Sequence, residues 1–150
     1  MAKAQLENVV LDGKVSAKTA GGMIGVLENP NNSFVKNCFI SGGVSGEKLA
    51  AGVIAEVGSN STYIAKTEQA LVESTVIAAK AEGEISAAVI AKADKGTFSD
   101  NDNANILSNV YYSSYQNESI FGTQELNSYQ CSGYMAVDLS AMRCVLGGTE

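Results

Sequence analysis

A pattern that recurs four times along the chain constrains the fold more than any other feature of this sequence. Each copy opens with a small polar residue and continues into three residues that favour strands. The four openings are Asn8-Val9-Val10-Leu11, Asn37-Cys38-Phe39-Ile40, Ser74-Thr75-Val76-Ile77 and Asn109-Val110-Tyr111-Tyr112. Successive openers lie 29, 37 and 35 residues apart, and the extra residues fall in polar connectors. Recurrence at about 20–50 residues is typical of architectures built by stacking similar units.

Two further features recur in the same copies. A motif that reads small, apolar, Ile, small follows the first three openers, and a shortened form follows the fourth. Its residues are Gly22-Met23-Ile24-Gly25, Gly52-Val53-Ile54-Ala55, Ala88-Val89-Ile90-Ala91 and Ser119-Ile120-Phe121-Gly122. Seven residues after the openers stand Val15, Val44, Ala81 and Gln116. Both features predict that the copies share one local structure.

The copies are predicted to be extended, because Val, Ile, Phe and Tyr favour strands and frequent glycine weakens a helix. Residues 66–95 are the hardest part, since they are rich in Ala, Glu and Lys and a helix from Thr67 to Ala81 is a rival interpretation. Strands are preferred there because both motifs of this copy align with those of the others.

The fold class that follows is all-β, a right-handed parallel β-solenoid (β-helix) of about four irregular repeats with a C-terminal cap. The predicted repeats cover residues 5–33, 34–69, 70–103 and 104–122 of a solenoid spanning 1–122. Residues 123–150 form the cap, with a short helix near Val137–Arg143. Two inward columns are expected to stack between copies: Met23, Val53, Val89 and Ile120 in one, and Leu11, Ile40, Ile77 and Tyr112 in the other. The polar openers either form a hydrogen-bonded ladder or serve as turn residues.

The motif Gly22-Met23-Ile24-Gly25, with its altered copies and the Asn-led strands before it, resembles the GLUG motif. The resemblance covers roughly residues 5–122, although Met23 replaces the usual Leu and later copies replace glycines with Ala. GLUG repeats occur in exported bacterial proteins, including non-catalytic regions of streptococcal-type immunoglobulin A1 peptidases. The resemblance implies a β-helical stalk or binding module, secreted or at the cell surface, and it carries over no catalytic residue.

Composition excludes several classes of function. The chain has no His, so mechanisms that need an imidazole base or ligand are excluded. Its net charge is −6, and residues 99–150 carry six acids against one Arg, which argues against nucleic acid and anionic membranes as partners. No apolar stretch is long enough to cross a bilayer, and the first residues lack the apolar core of a signal peptide. These features leave an intracellular protein or a segment of a longer exported chain, and the abrupt ends of the repeats favour the segment.

Five of the six tyrosines come late in the chain: Tyr111, Tyr112, Tyr115, Tyr129 and Tyr134. Aromatic rings bury large area at low entropic cost and can bind a sugar or a partner protein. They can equally cover the last coil of a solenoid. The sequence therefore offers a cap and a binding face as alternatives.

Three cysteines and one acidic loop are the other candidate sites. Cys38 is expected to be a small buried residue in an apolar strand. Cys131 and Cys144 either form a disulfide in an exported protein or stay reduced. Asp100 and Asp102 lie in a stretch that resembles the start of a calcium loop but lacks its later ligands, so they are weak calcium candidates and no metal or cofactor is predicted.

The predicted function is a non-catalytic spacer or adhesive module of an exported bacterial surface protein, not an enzyme. The alternative is a module that binds a carbohydrate or host protein through the late tyrosines, and a glycoside hydrolase using carboxylates such as Glu56, Glu73, Glu82 and Glu84 ranks third. A plain spacer should lack a concave pocket, and a binding module should depend on Tyr111 or Tyr115. A hydrolase needs two acids within about 10 Å across a cleft.

Overall fold

The computed structural model describes residues 3–58, 70–93, 106–123 and 134–137, and every regular element in these ranges is a β-strand. The strands are β1 (Gln5–Glu7), β2 (Val10–Gly21), β3 (Ile24–Leu27), β4 (Phe34–Lys36), β5 (Phe39–Ala51), β6 (Ile54–Val57), β7 (Val72–Ile77), β8 (Lys80–Glu82), β9 (Ile85–Ala87), β10 (Ile90–Ala93), β11 (Leu107–Ser113) and β12 (Tyr134–Val137). The all-β class is confirmed. Residues 70–93 contain four of these strands, so the helical interpretation of Thr67–Ala81 is wrong wherever the structure describes that segment.

All pairings between these strands are parallel, and they form two sheets. In the larger sheet β1, β4, β7, β11 and β12 follow one another, and β5 also pairs with β2, β8 and β9. The smaller sheet has the order β10–β6–β3, and Phe121 extends it through a bridge to Ile90. Since parallel neighbours need a crossover connection, paired residues lie about 24–37 residues apart in the chain.

The pairing register joins the residues that the sequence pattern aligns. Leu11 pairs with Ile40, and Ile40 pairs with Ile77. Ile77 in turn pairs with Tyr112. In the smaller sheet Ile24 pairs with Ile54, and Ile54 pairs with Ile90. A shift of one residue would turn every apolar side chain to the opposite face, so this agreement depends on the exact spacing of the pattern.

The core lies between the two sheets and consists of stacked apolar residues. Ile40 and Ile77 are fully buried, as are Val53 and Val89 of the other predicted column, whereas the first-copy members Leu11 and Met23 are only half-buried. A further column was not predicted; its members are Leu6, Val35, Val72 and Leu107. Each stands two residues before an opener, so a periodic signal for this column is present in the sequence.

The four polar openers share an unusual backbone conformation. Asn8, Asn37, Ser74 and Asn109 have φ values of 59°, 51°, 47° and 55°. Asn enters this left-handed region more readily than most residues, because its short side chain can hydrogen-bond locally. One link of the predicted ladder is present, from Asn109 Nδ2 to Ser74 Oγ at 3.4 Å. The left-handed conformation therefore interrupts the extended backbone in all four copies: Asn8 and Asn37 lie between strands, whereas Ser74 and Asn109 lie within β7 and β11.

Parallel pairing continues past residue 122. In β12, Tyr134 pairs with Val110 and Tyr112 pairs with Ala136. Tyr134–Val137, which lies in the predicted cap segment, thus adds a strand to the larger sheet. Val137 is the last residue of that strand, so the helix predicted near Val137–Arg143 does not begin there, and residues 138–143 lie outside the described ranges.

Candidate functional site

An open groove of about 800 Å³ crosses the middle of the larger sheet. Its lining comes from β2, β5 and β8, and from Gln116, which follows β11. The groove therefore runs across strands from three copies of the pattern and reaches one turn residue of the fourth. Its lining includes Val15, Val44 and Gln116, which are three of the four positions seven residues after an opener.

Two glycines let the first two strands of this groove approach each other. Gly13 pairs with Gly42, and Gly42 has a φ of 95°. A Cβ atom on Gly42 would lie 1.9 Å from the carbonyl oxygen of Gly13, which no side chain can occupy. At this point of the groove the lining is therefore glycine backbone without side chains.

Polar side chains form the sides of the groove. Ser41 Oγ donates a hydrogen bond of 2.7 Å to Asp12 Oδ1, and Lys80 Nζ lies 2.7 Å from Glu82 Oε1. The hydrogen bond from Lys80, followed by its positive charge, lowers the pKa of Glu82. With Lys14 on the same surface, the lining carries two cations and two carboxylates and has no net charge.

A smaller cavity of about 250 Å³ adjoins the groove and shares Lys80 and Gln116 with it. It ends at Asn117, whose side chain is buried against the edge of β8. Asn117 Oδ1 accepts a hydrogen bond of 3.0 Å from the Ala81 amide, and Asn117 Nδ2 donates one of 2.8 Å to the Ala79 carbonyl. The side-chain amide thus takes the place of a neighbouring strand at this edge.

The late tyrosines do not share one surface. Tyr112 is buried in the core, and burial, followed by the charge of Tyr134, raises its pKa. Tyr115 is 84% exposed and Tyr134 is 41% exposed, while Tyr111 is half-buried. The rings of Tyr112 and Tyr134 lie 6.4 Å apart. Tyr112 therefore acts as a core residue, Tyr115 and Tyr134 remain available to a ligand, and Tyr129 lies outside the described residues.

The candidate carboxylates are solvated and most are paired with lysines. Glu84 lies 3.5 Å from Lys48, and Glu56 lies 3.4 Å from Lys92 on the neighbouring strand. Glu73 is half-buried on β7. Within the described ranges no group of three His, Cys, Asp or Glu side chains is placed to hold a metal ion.

Cys38 is buried, as predicted, and its thiol lies 3.2 Å from the carbonyl oxygen of Lys36. The other predicted positions, Cys131, Cys144, Asp100 and Asp102, lie outside the described residues. Sequence reasoning did not single out Asp12, Lys14, Lys80 or Asn117. A signal for all four existed, since they flank or closely precede the aligned positions Val15, Ala81 and Gln116.

No family model, curated protein or solved structure matches this chain. The described segments also include no helix of the length and apolar character needed to cross a membrane.

Proposed function

We propose that this protein is a right-handed β-solenoid of about four coils that serves as a non-catalytic adhesive module of an exported bacterial surface protein, with an extended neutral oligosaccharide as its ligand. The observation that carries the proposal is the groove across strands from three copies of the pattern. A plain spacer does not need such a concavity, so the groove favours adhesion over spacing. The resemblance to GLUG repeats supports the surface location.

The groove offers what an oligosaccharide needs. Ligand sites combine apolar surface with a few placed polar groups. Here the glycine backbone at Gly13, Gly42 and Gly43 leaves a surface without side chains on which a chain of sugars can lie, and Ser16, Ser45 and Gln116 supply hydrogen-bonding groups along its length. Because lysines and carboxylates balance in the lining, a neutral ligand meets neither attraction nor repulsion from a net charge.

The chemistry of the lining supports binding rather than hydrolysis. A glycoside hydrolase needs one carboxylic acid that stays protonated near neutral pH. The pKa of Glu82 moves in the opposite direction, because Lys80 stabilises the carboxylate. Among the described lining residues, Asp12 is the other carboxylate, and it accepts a hydrogen bond from Ser41.

Filling the groove tests the proposal. Ser45→Trp places a bulky ring in the groove, and Glu47→Trp adds the same ring to an exposed position of β5 outside it. Screening of the wild-type chain on an oligosaccharide array, followed by calorimetry, should identify a ligand whose binding Ser45→Trp abolishes and Glu47→Trp preserves. Binding that survives Ser45→Trp, or an array without any ligand, overturns the groove as the adhesive site.

Two more measurements separate the alternatives. Loss of binding in Tyr115→Ala or Tyr134→Ala, with Ser45→Trp unaffected, would assign adhesion to the late tyrosines instead. If the wild-type chain releases reducing sugar from an oligosaccharide and the Glu82→Gln variant does not, the protein is a glycoside hydrolase. For the location, an antibody to this chain should label intact producing cells, and labelling only after lysis would contradict the surface assignment.

A further inference from the structure

The first long strand of the chain has an open edge. In the part of the chain that the structure describes, β2 pairs with β5 along one side and with no strand along the other. It is 12 residues long, whereas strands usually have about 3–10 residues, and natural proteins tend to keep edge strands short. Val10 at its start is 71% exposed. This edge presents a row of backbone groups to which another strand can add.

The register with β5 decides which residues point outward. The Phe39 amide donates to the Val9 carbonyl at 3.0 Å, so Val9 faces β5. In a parallel pair the backbone groups of alternate residues face the same neighbour. Leu11 and Val15 therefore face β5 as well, and the amides and carbonyls of Asp12 and Lys14 point to the open edge.

The sequence around Gly13 is complementary to itself when reversed. An antiparallel copy centred on Gly13 places Asp12 opposite Lys14, and the two-fold symmetry makes this pair occur twice. Leu11 then lies opposite Val15 on the core side. Asp12 and Lys14 are the residues whose backbone groups point outward, so they form the hydrogen-bonded pair that an antiparallel register requires.

Glycine at the centre permits the approach. Directly opposed residues without mutual hydrogen bonds lie about 4.5 Å apart at Cα, the closest spacing in an antiparallel pair. Two Gly13 residues would meet there. A Cβ atom built on Gly13 has nothing within 4 Å, so the surrounding space is open.

We propose that two copies of this chain associate through β2, in an antiparallel pair centred on Gly13. The occupant of the open edge is a second copy rather than another protein, because the charges and apolar residues of β2 complement their own reversed order. The interface is isologous, so it closes as a dimer and leaves no further β2 edge for a third copy.

Exchanging the charges of Asp12 and Lys14 tests this dimer. Analytical ultracentrifugation of the 150-residue chain measures the dissociation constant of the dimer. Asp12→Lys and Lys14→Asp each place like charges opposite one another twice, and each should weaken the dimer by at least roughly tenfold in dissociation constant. The double variant Asp12→Lys/Lys14→Asp restores opposite charges and should restore the dimer. Circular dichroism of each variant should match that of the wild type.

Lys18→Asp is the matched control, because Lys18 is an exposed lysine of the same strand that lies outside the Asp12–Lys14 pairing. It should leave the dimer intact. A wild-type chain that stays monomeric at high concentration overturns the proposal. In that case the charged residues of β2 would instead keep other strands from pairing with this edge. A dimer that ignores the charge exchange, or that breaks with Lys18→Asp and not with Lys14→Asp, overturns the proposed register.

Discussion

At the scale of single residues, the left-handed openers show how one dihedral angle determines the choice of amino acid. Three of the four openers are Asn, which tolerates this region, and the third in chain order is Ser74 with a φ of 47°. Ser gains less local hydrogen bonding in this conformation, and a non-glycine residue pays about 1–2 kcal/mol there. Ser74 is therefore the least suited of the four openers to its backbone.

Ser74→Gly should stabilise the protein by about 0.5–1 kcal/mol, because glycine relieves the left-handed strain. The free energy of unfolding in urea measures the effect. Ser45→Gly makes the same chemical change at an exposed strand position without a positive φ, so it should destabilise the protein by roughly 0.5–1 kcal/mol. Equal effects at both positions would contradict strain at Ser74.

The openers also show what the sequence can and cannot predict about single residues. Their recurrence was visible, and it led to the correct register for Leu11, Ile40 and Ile77. The choice between ladder and turn required φ values, because Asn suits both roles. The strand at Tyr134–Val137 was missed because none of the small polar openers directly precedes it in the sequence.

At the scale of strands, the close approach of β2 and β5 depends on Gly42. Gly42→Ala should cost more than about 2 kcal/mol of unfolding free energy, since it combines a strained φ with a clash against the Gly13 backbone. Gly43→Ala is the control on the next residue, where an added Cβ meets nothing within 4 Å, and it should be close to neutral. Chemical denaturation of both variants provides the comparison. A mild effect of Gly42→Ala would show that the two strands can separate without penalty.

The edge of β8 depends on the amide of Asn117. Asn117→Ala leaves the Ala81 amide and the Ala79 carbonyl without their partner, and each unsatisfied buried group costs about 1–3 kcal/mol. We expect a loss of at least about 2 kcal/mol in thermal or urea unfolding. Gln116→Ala, one residue earlier and half-buried in the groove lining, should cost less than about 0.5 kcal/mol. Similar losses of unfolding free energy in both variants would contradict the proposal that the Asn117 amide replaces a neighbouring strand.

Asn117 and the groove also mark the limit of sequence reasoning at this scale. The position of Gln116 was aligned with Val15 and Val44, which placed the fourth copy beside the groove. Replacement of a strand by one side-chain amide has no periodic signature, because it occurs in a single copy.

At the scale of the whole molecule, the described strands pair in parallel with strands about 24–37 residues away, and the β-solenoid proposed above predicts that stability varies along the stack. Such arrays approximate a one-dimensional chain of units, in which the ends open more easily than the middle. β6 lies between β3 and β10, and Ile54 at its start is fully buried. Among the strands that the structure describes, β1 pairs with β4 alone, and Gln5 at its start is exposed. The middle copies should therefore be the last to open.

Native-state hydrogen exchange tests this gradient, since it reports local opening free energies segment by segment. We expect the Ile54 amide, which donates to the Val89 carbonyl at 2.8 Å, to exchange at least roughly 100-fold more slowly than the hydrogen-bonded amides at the β1 end, such as Asn8. The reason is that opening β1 disrupts one pairing, whereas opening β6 disrupts two and exposes the buried column around Ile54. Equal protection at both positions, rising and falling together with denaturant, would mean that the chain unfolds as one cooperative unit and that stacking of semi-independent copies does not describe it.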